Sequence, residues 1–293
     1  MKKLRVWIEA MRLRTLPVSM AGVVCGVGLA AHIGNFRWLP ALFCLLIALF
    51  AQIASNFGNE YFDYKNGLDR KGREGFRRGV TEGDISPRAM LVATLALLVA
   101  VAIIGLSLCY VTDNYWLLLP GIAILLFALA YSAGPYPLSH HGLGDIAVII
   151  FFGLVPVSLT CYVASGSWGN PMMTWGLATA VGLLASNVLV VNNYRDVDDD
   201  RAVGKHTTVV LFGRKVMSLY YLFSGVAAAG ITWPLWVLNA LAPIIPAIYL
   251  LLHFALWRKL CHNSGAALNP LLGMTACNLL LFSVLTALLL ALA

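Results

Sequence analysis

The chain has 293 residues, of which 60% are apolar and only 11% charged, and its mean hydropathy is +0.82. Soluble domains carry about 25% charged residues, so these proportions exclude a soluble globular protein and indicate an integral membrane one. The net charge of +7 does not require a nucleic-acid partner, because a membrane protein collects basic residues in its inner loops.

At the start of the chain, Leu4, Trp7, Ile8 and Met11 share one helical face, with Lys3, Arg5 and Arg12 elsewhere. That pattern suits a short helix lying in the inner interface, and equally a frayed basic tail. The apolar run that follows is too long for the core of a signal peptide. A spanning helix needs about 20 apolar residues, and nine such runs are predicted: 15–34, 39–62, 89–112, 115–133, 145–165, 173–194, 217–237, 240–257 and 270–292. With the N-terminus inside, Arg37 alone of the twenty Lys and Arg residues falls outside, as the positive-inside rule requires. The C-terminus is then outside. Outer loops are short and inner loops long and polar, so function is expected on the cytoplasmic side. The cysteines at 25, 44, 109, 161, 261 and 277 form no C-x-x-C pair and read as small packing residues.

Two polar stretches interrupt this apolar chain. The first holds Asn56, Asn59, Glu60, Asp63 and, past Gly67, Asp69. The second holds Asn192, Asn193, Asp196, Asp200 and, past Gly204, Lys205. A shift of 137 residues lays Asn56 on Asn193, Asn59 on Asp196, Asp63 on Asp200 and Gly67 on Gly204. In a helix, the spacing of the first set (i, i+3, i+4, i+7) puts its oxygens on one face. The two copies lie four spans apart, so the repeat is parallel: two four-helix units about an axis along the membrane normal, with a ninth helix added. The whole chain, 1–293, reads as a single polytopic domain.

Charges inside a bilayer are costly, so two aligned acidic faces are expected to hold something. Hard oxygen ligands suit Mg²⁺, which usually takes one or two carboxylates and substrate phosphates; no sulfur and no paired histidine accompanies them within these stretches, which argues against zinc. Arg73, Arg77 and Arg78 follow the first face, and Lys205 and Thr207 the second. Guanidinium groups bind phosphate oxygens in pairs. Acids followed by cations, written twice, suit a diphosphate held by Mg²⁺. The bland alternative is that the basic residues serve only the inside-positive loop rule.

These motifs resemble those of the UbiA-type intramembrane aromatic prenyltransferases. Asn59-Glu60-Tyr61-Phe62-Asp63, then Asp69, Arg73, Arg78, Gly83 and Ser86, is similar to the family's first signature. Asp196-x-x-x-Asp200-Arg201-x-x-Gly204-Lys205-x-Thr207 is similar to the second. Within the family, the chain most resembles the dihydroxynaphthoate polyprenyltransferases of menaquinone synthesis. That likeness rests on Arg14-Thr15-Leu16-Pro17, Asp63-x-x-x-Gly67-x-Asp69, the run from Tyr131 to Leu138 with Gly142 to Asp145, and Asn192-Asn193-Tyr194-Arg195-Asp196. Departures are Glu60 where Asp is more frequent, Phe76 where proline is usual, and His140-His141 where tyrosine is common. The His pair reads as an interfacial loop element or as a lining of the acceptor entrance.

The resemblance implies an all-α integral membrane protein: nine transmembrane helices around a central cavity open to the cytoplasmic side of a bacterial inner membrane. It implies transfer of a polyprenyl group from polyprenyl diphosphate to 1,4-dihydroxy-2-naphthoate, with loss of CO₂ and diphosphate. Metal ligands would be Asn59, Glu60, Asp63, Asp69, Asp196 and Asp200, with Asn56, Arg73, Arg78, Asn192, Asn193, Lys205 and Thr207 binding substrate. Asp145 reads equally as a cap at a helix start or, beside Tyr131, as the group that orients or deprotonates the ring hydroxyl. The alternatives are a family relative with another aromatic acceptor, or a cation-coupled transporter, which also uses repeats and midplane acids. The D-G-x-x-A-R run of membrane CDP-alcohol phosphotransferases is absent.

Overall fold

The computed structural model describes residues 2–72 and 74–293, and every regular element among them is helical. Eight helices are long and apolar enough to cross a bilayer, and a ninth apolar helix, Tyr115–Ala130, is shorter. At 1.5 Å per residue this ninth helix falls short of the ~30 Å hydrocarbon core. Its length is the first departure from the nine spans expected. The protein is a multi-pass membrane protein.

Helix α1 (Lys2–Met11) is amphipathic. Val6 and Ala10 are buried with Phe57, Val80, Ile85 and Met90, while Leu4 and Ile8 stay exposed. Of the two readings of this segment, the helix is the one adopted. Arg12 takes the left-handed conformation (φ 53°) and turns the chain into α2 (Leu16–Ile33). Left-handed backbone is rare for a non-glycine residue, and here the Arg12 carbonyl is held by the Thr15 N–H and hydroxyl.

Close packing in the centre depends on glycine, as expected where apolar side chains gain little by leaving lipid. A Cβ on Gly22 or Gly26 of α2 would come within 2.6 Å of Pro156 or of Thr160, and one on Gly28 within 2.5 Å of Ala287. These contacts seat α2 between α7 (Val155–Ser165) and α12 (Asn269–Leu292). The predicted span 145–165 is built from α6 (Gly144–Val148), a π-helical turn (Ile149–Leu154) and α7. Pro156 has no N–H to return to the preceding turn, and the helix widens just before it. There Gly153 meets Gly182 so closely that a Cβ would lie 2.4 Å from the Gly182 Cα. Gly182 belongs to α8 (Pro171–Ala202), the most enclosed of the long helices. Its run of Ala, Gly and Val suits a helix buried all round.

Boundaries differ from the hydropathy runs where polar helix or hidden turns intervene. Helix α3 (Trp38–Lys65) and α8 both continue past their apolar stretches, α8 by eight residues beyond 194. The expected span 217–237 is instead α9 (Thr208–Ile231), broken at Gly213 (φ 80°, ψ 162°), a conformation that only glycine adopts readily. Trp233–Trp236 forms a separate short turn, α10, and α11 runs Ile244–His262. Helices α4 (Pro87–Thr112) and α5 (Leu118–Ala130) complete the bundle, α4 capped by the Ser86 hydroxyl accepting from the Ala89 N–H at 3.2 Å.

Candidate functional site

The last three turns of α3 carry Asn56, Asn59, Glu60 and Asp63, all within one helix as the spacing demands. The loop after α3 folds back over them. Leu68 N–H donates to the Asp63 carbonyl at 2.8 Å, and the Glu60 carboxylate accepts from the Val80 N–H at 2.9 Å. Glu60 thus anchors the returning loop. Asn59 accepts from Arg12 Nη2 at 2.9 Å and donates to Ser132 Oγ at 3.0 Å. Asn56 faces the α1–α2 turn, donating to the Met11 carbonyl at 3.0 Å.

Asp63, only 2% exposed, is the meeting point. Lys205 Nζ lies 3.1 Å from its Oδ2, Arg78 Nη2 3.6 Å from the same oxygen, and His140 Nε2 3.6 Å from Oδ1. Lys205 comes from the second polar stretch, placed by the Gly204 turn (φ 74°) and by its N–H donating to the Asp200 carbonyl at 2.9 Å. The two faces are joined again where Arg70 pairs with Asp199 and the Glu74 N–H donates to Asp199 at 3.2 Å. Arg78 bridges the acids, its Nε 3.4 Å from Asp69. On its other side is a cavity of about 190 Å³ that Arg70, Arg77 and Thr81 also line.

On α8, Asp196 is 2% exposed and clamped by Arg195 through two contacts of 2.7 Å. Arg195 also donates to Asn192 Oδ1 at 2.8 Å and to Asn269 Oδ1 at 3.0 Å. Arg14 lies over the Phe76 ring at 3.6 Å and Arg195 at 5.0 Å, so Phe76 holds two guanidiniums by cation–π attraction. Asn193 and Asp200 are buried on the same helix. Thr207 caps α9, accepting from the Val210 N–H. Arg73 lies outside the described residues.

Asp145 sits inside α6, whose N-cap is Leu143, so the capping role falls away. Its Oδ2 accepts from Thr208 Oγ1 at 2.7 Å, and its buried Oδ1 has no hydrogen-bond partner. The Tyr131 phenol oxygen lies 3.7 Å from where a Cβ on Gly144 would stand, at the residue that precedes Asp145 in α6. His140 is beside Asp63 rather than at a remote loop surface. Arg12, Ser132, Thr208 and the Arg195 clamp were not marked as site residues by sequence. The one local signal was Phe76, an aromatic residue where proline is usual.

Beyond the polar residues lies an apolar cavity of about 270 Å³ between α2, α3, α4, α5 and α7. Gln52 and Ser55 line its near end, one or two turns before Asn56 and Asn59. Phe127 belongs to both regions: it lines the cavity, stacks on Phe151 at 3.9 Å and packs against Tyr131.

Among the described residues, no three His, Cys, Asp or Glu side chains converge to hold a metal ion by themselves. The buried carboxylate oxygens Asp63 Oδ1 and Asp145 Oδ1 nevertheless lack a hydrogen bond among the described residues, an expensive state for a buried polar atom. Mg²⁺ ordinarily keeps waters and phosphate oxygens alongside one or two carboxylates. Such a donor set fits a metal that arrives with a phosphate ligand.

Comparison with known proteins places this geometry. The sequence model of the UbiA prenyltransferase family matches residues 19–269. The 1,4-dihydroxy-2-naphthoate octaprenyltransferase of Haemophilus influenzae is 30% identical over 305 residues, covering 98% of this chain and 96% of that protein. The apo structure of a UbiA homolog from Aeropyrum pernix superposes with a TM-score of 0.70 at 18% identity, covering 90% of this chain and 94% of that one. A UbiA homolog from Archaeoglobus fulgidus bound to GPP and Mg²⁺ superposes with a TM-score of 0.63 at 16% identity, covering 94% and 99%. At these identities the two structures establish the shared fold.

Proposed function

This chain belongs to the UbiA prenyltransferase family, and from that premise we propose that it transfers a polyprenyl group to 1,4-dihydroxy-2-naphthoate, releasing CO₂ and diphosphate. The observation that carries the reading is the convergence of Lys205, from the second polar stretch, on Asp63, from the first, beside a cavity of about 270 Å³ with apolar walls. A charged head and a long apolar tail need such neighbours.

In this reading the donor's diphosphate lies among Asp63, Asp69, Asp196 and Asp200 with Arg78 and Lys205, and its first isoprene units lie in the apolar cavity. Mg²⁺, bound with the diphosphate, would be held by Asp63 and the acids of α8, and would neutralise charge growing on the leaving group. Arg78 is buried and Lys205 half-buried, both beside Asp63, so they add positive charge to the same stabilisation. The bond from allylic carbon to diphosphate oxygen breaks as the ring carbon bearing the carboxylate takes the allylic carbon. Asp145 Oδ1, held at its other oxygen by Thr208, accepts the proton of the ring hydroxyl, and Tyr131 orients the ring. Loss of CO₂ leaves its electron pair in the ring and restores the aromatic ring as a phenolate, which takes the proton back from Asp145. Phe127, Phe151 and the cavity walls keep water from the allylic centre, where it would form an alcohol.

The relative from Haemophilus influenzae carries the naphthoate name, and the Archaeoglobus fulgidus homolog binds GPP and Mg²⁺; both support the choice of acceptor, donor and metal. The sorting of basic residues supports a site facing the cytoplasm of a bacterial inner membrane, with nine spans, the N-terminus inside and the C-terminus outside. Purified protein is to be given radiolabelled prenyl diphosphate and a panel of aromatic acids, with and without Mg²⁺. The expected result is labelled product and CO₂ with 1,4-dihydroxy-2-naphthoate, only when Mg²⁺ is present. Transfer to hydroxybenzoate instead, or none to any acid, would overturn the assignment.

A further inference from the structure

The polar stripe of α3 runs one turn deeper than its acids. Gln52 stands four residues before Asn56, on the same helical face, and is the only amide between Trp38 and Ala54. An amide in such apolar surroundings is costly unless its hydrogen bonds are made.

The neighbours of Gln52 decide which end of its amide is oxygen. The Met11 carbonyl can only accept, so Asn56 Nδ2 donates to it at 3.0 Å and Asn56 Oδ1 faces the other way. Gln52 Nε2 donates to that oxygen at 3.3 Å and to the Thr15 hydroxyl at 3.4 Å. Thr15 is free to accept because its own proton goes to the Arg12 carbonyl at 2.9 Å. Both hydrogens of the Gln52 amide are thus taken, and its oxygen is left over. Among the described residues, the buried Oε1 has no hydrogen-bond partner.

A partner can come from the apolar cavity, which Gln52 lines together with Phe127, Phe151 and Phe152. Ligand cavities use a few polar groups among apolar walls to fix orientation. A prenyl chain has no proton to offer such a group. A dihydroxynaphthoate has one, on the hydroxyl across the ring from the one that faces Asp145. Its fused rings are flat and apolar, suited to phenyl walls, and Phe127 reaches from this cavity to Tyr131.

Resting on the prenyl-transfer reading, we infer that Gln52 selects the acceptor, its Oε1 accepting a hydrogen bond from the ring hydroxyl farther from the carboxylate. The nearer hydroxyl stays with Asp145, so the ring is held at two edges. A monohydroxy acid makes one of these bonds and leaves Oε1 unpaired.

The test is calorimetry of 1,4-dihydroxy-2-naphthoate and of 1-hydroxy-2-naphthoate on the purified full-length protein. Binding is read because the different reactivities of the two rings do not enter it. Wild type binds the dihydroxy acid about ten- to hundred-fold more tightly, the span that one buried hydrogen bond decides. In Gln52→Met, which keeps the length and loses the amide oxygen, the two Kd values converge. Gln52→Leu gives the same result and replaces the methionine variant should that one fail to fold. A glutamine that only supported the helix would, when replaced, weaken both acids alike. Equal affinity of wild type for the two acids, or a preference that survives substitution, overturns the inference. Wild-type protein that prenylates hydroxybenzoate and neither naphthoate overturns the naphthoate reading instead.

Discussion

Asp63 gathers Lys205, Arg78 and His140 around one carboxylate, and it does so without using every lone pair. Removing its charge while keeping its shape should therefore strike function harder than folding. Asp63→Asn is expected to lower kcat for prenyl transfer by about 10²–10³, the usual loss when one group stabilising transition-state charge is removed, with membrane insertion intact. Activity near the wild-type level would show that the carboxylate takes no part. Arg195 presents the opposite case. It is 3% exposed and its guanidinium is divided among Asp196, Asn192 and Asn269. Deleting one partner of a buried ion pair costs about 3–5 kcal/mol, so Arg195→Ala should lower the melting temperature markedly, whereas Asp63→Asn should not. At this scale the acids were legible in the sequence, because carboxylates in apolar surroundings stand out and their spacing repeats. The Arg195 clamp, the Phe76 sandwich and the Arg12–Asn59 bond were not. Each joins groups that only the packing of separate helices brings together, and no periodicity encodes that.

Hydropathy located the helical elements well and their ends less well. The polar ends of α3 and α8 belong to the helices that the apolar runs begin, since hydropathy marks the apolar stretch of a helix and not the end of its backbone hydrogen bonding. The break expected between 237 and 240 begins earlier, after Ile231, because Trp233, Pro234 and Trp236 are as apolar as a span although they form a separate turn. The π-helical turn at Ile149–Leu154 was invisible in the sequence, yet it brings Gly153 onto α8. A side chain at Gly153 would drive into the Ala178 carbonyl and the Gly182 backbone, each 2.4 Å from its Cβ. Backbone cannot rotate away as a side chain can. Gly153→Leu is expected to cost at least the ~1–3 kcal/mol of ordinary overpacking, seen as a lower melting temperature in detergent. A melting temperature equal to wild type would mean that the close approach of these helices is not essential to the fold.

Across the whole molecule, the division of labour follows from polarity. Apolar helices build a body that excludes water, and their two polar ends meet at one edge of it. The repeat read in the sequence leads to the expectation that the two polar stretches meet, and Lys205 on Asp63 is one of the contacts that join them, with Arg70 and Glu74 on Asp199. What the sequence could not supply was the side of the body on which an apolar tail lies. The walls of that cavity come from five segments, and their side chains differ in no way from those facing lipid. Binding of geranyl diphosphate to the purified protein, measured by calorimetry with Mg²⁺ and again with EDTA, tests the joint site most directly. The expected result is binding in Mg²⁺ that disappears in EDTA and in both Asp63→Asn and Asp196→Asn, one variant from each polar stretch. Equal binding with and without the metal, or undiminished binding in either variant, would contradict a diphosphate site shared by the two.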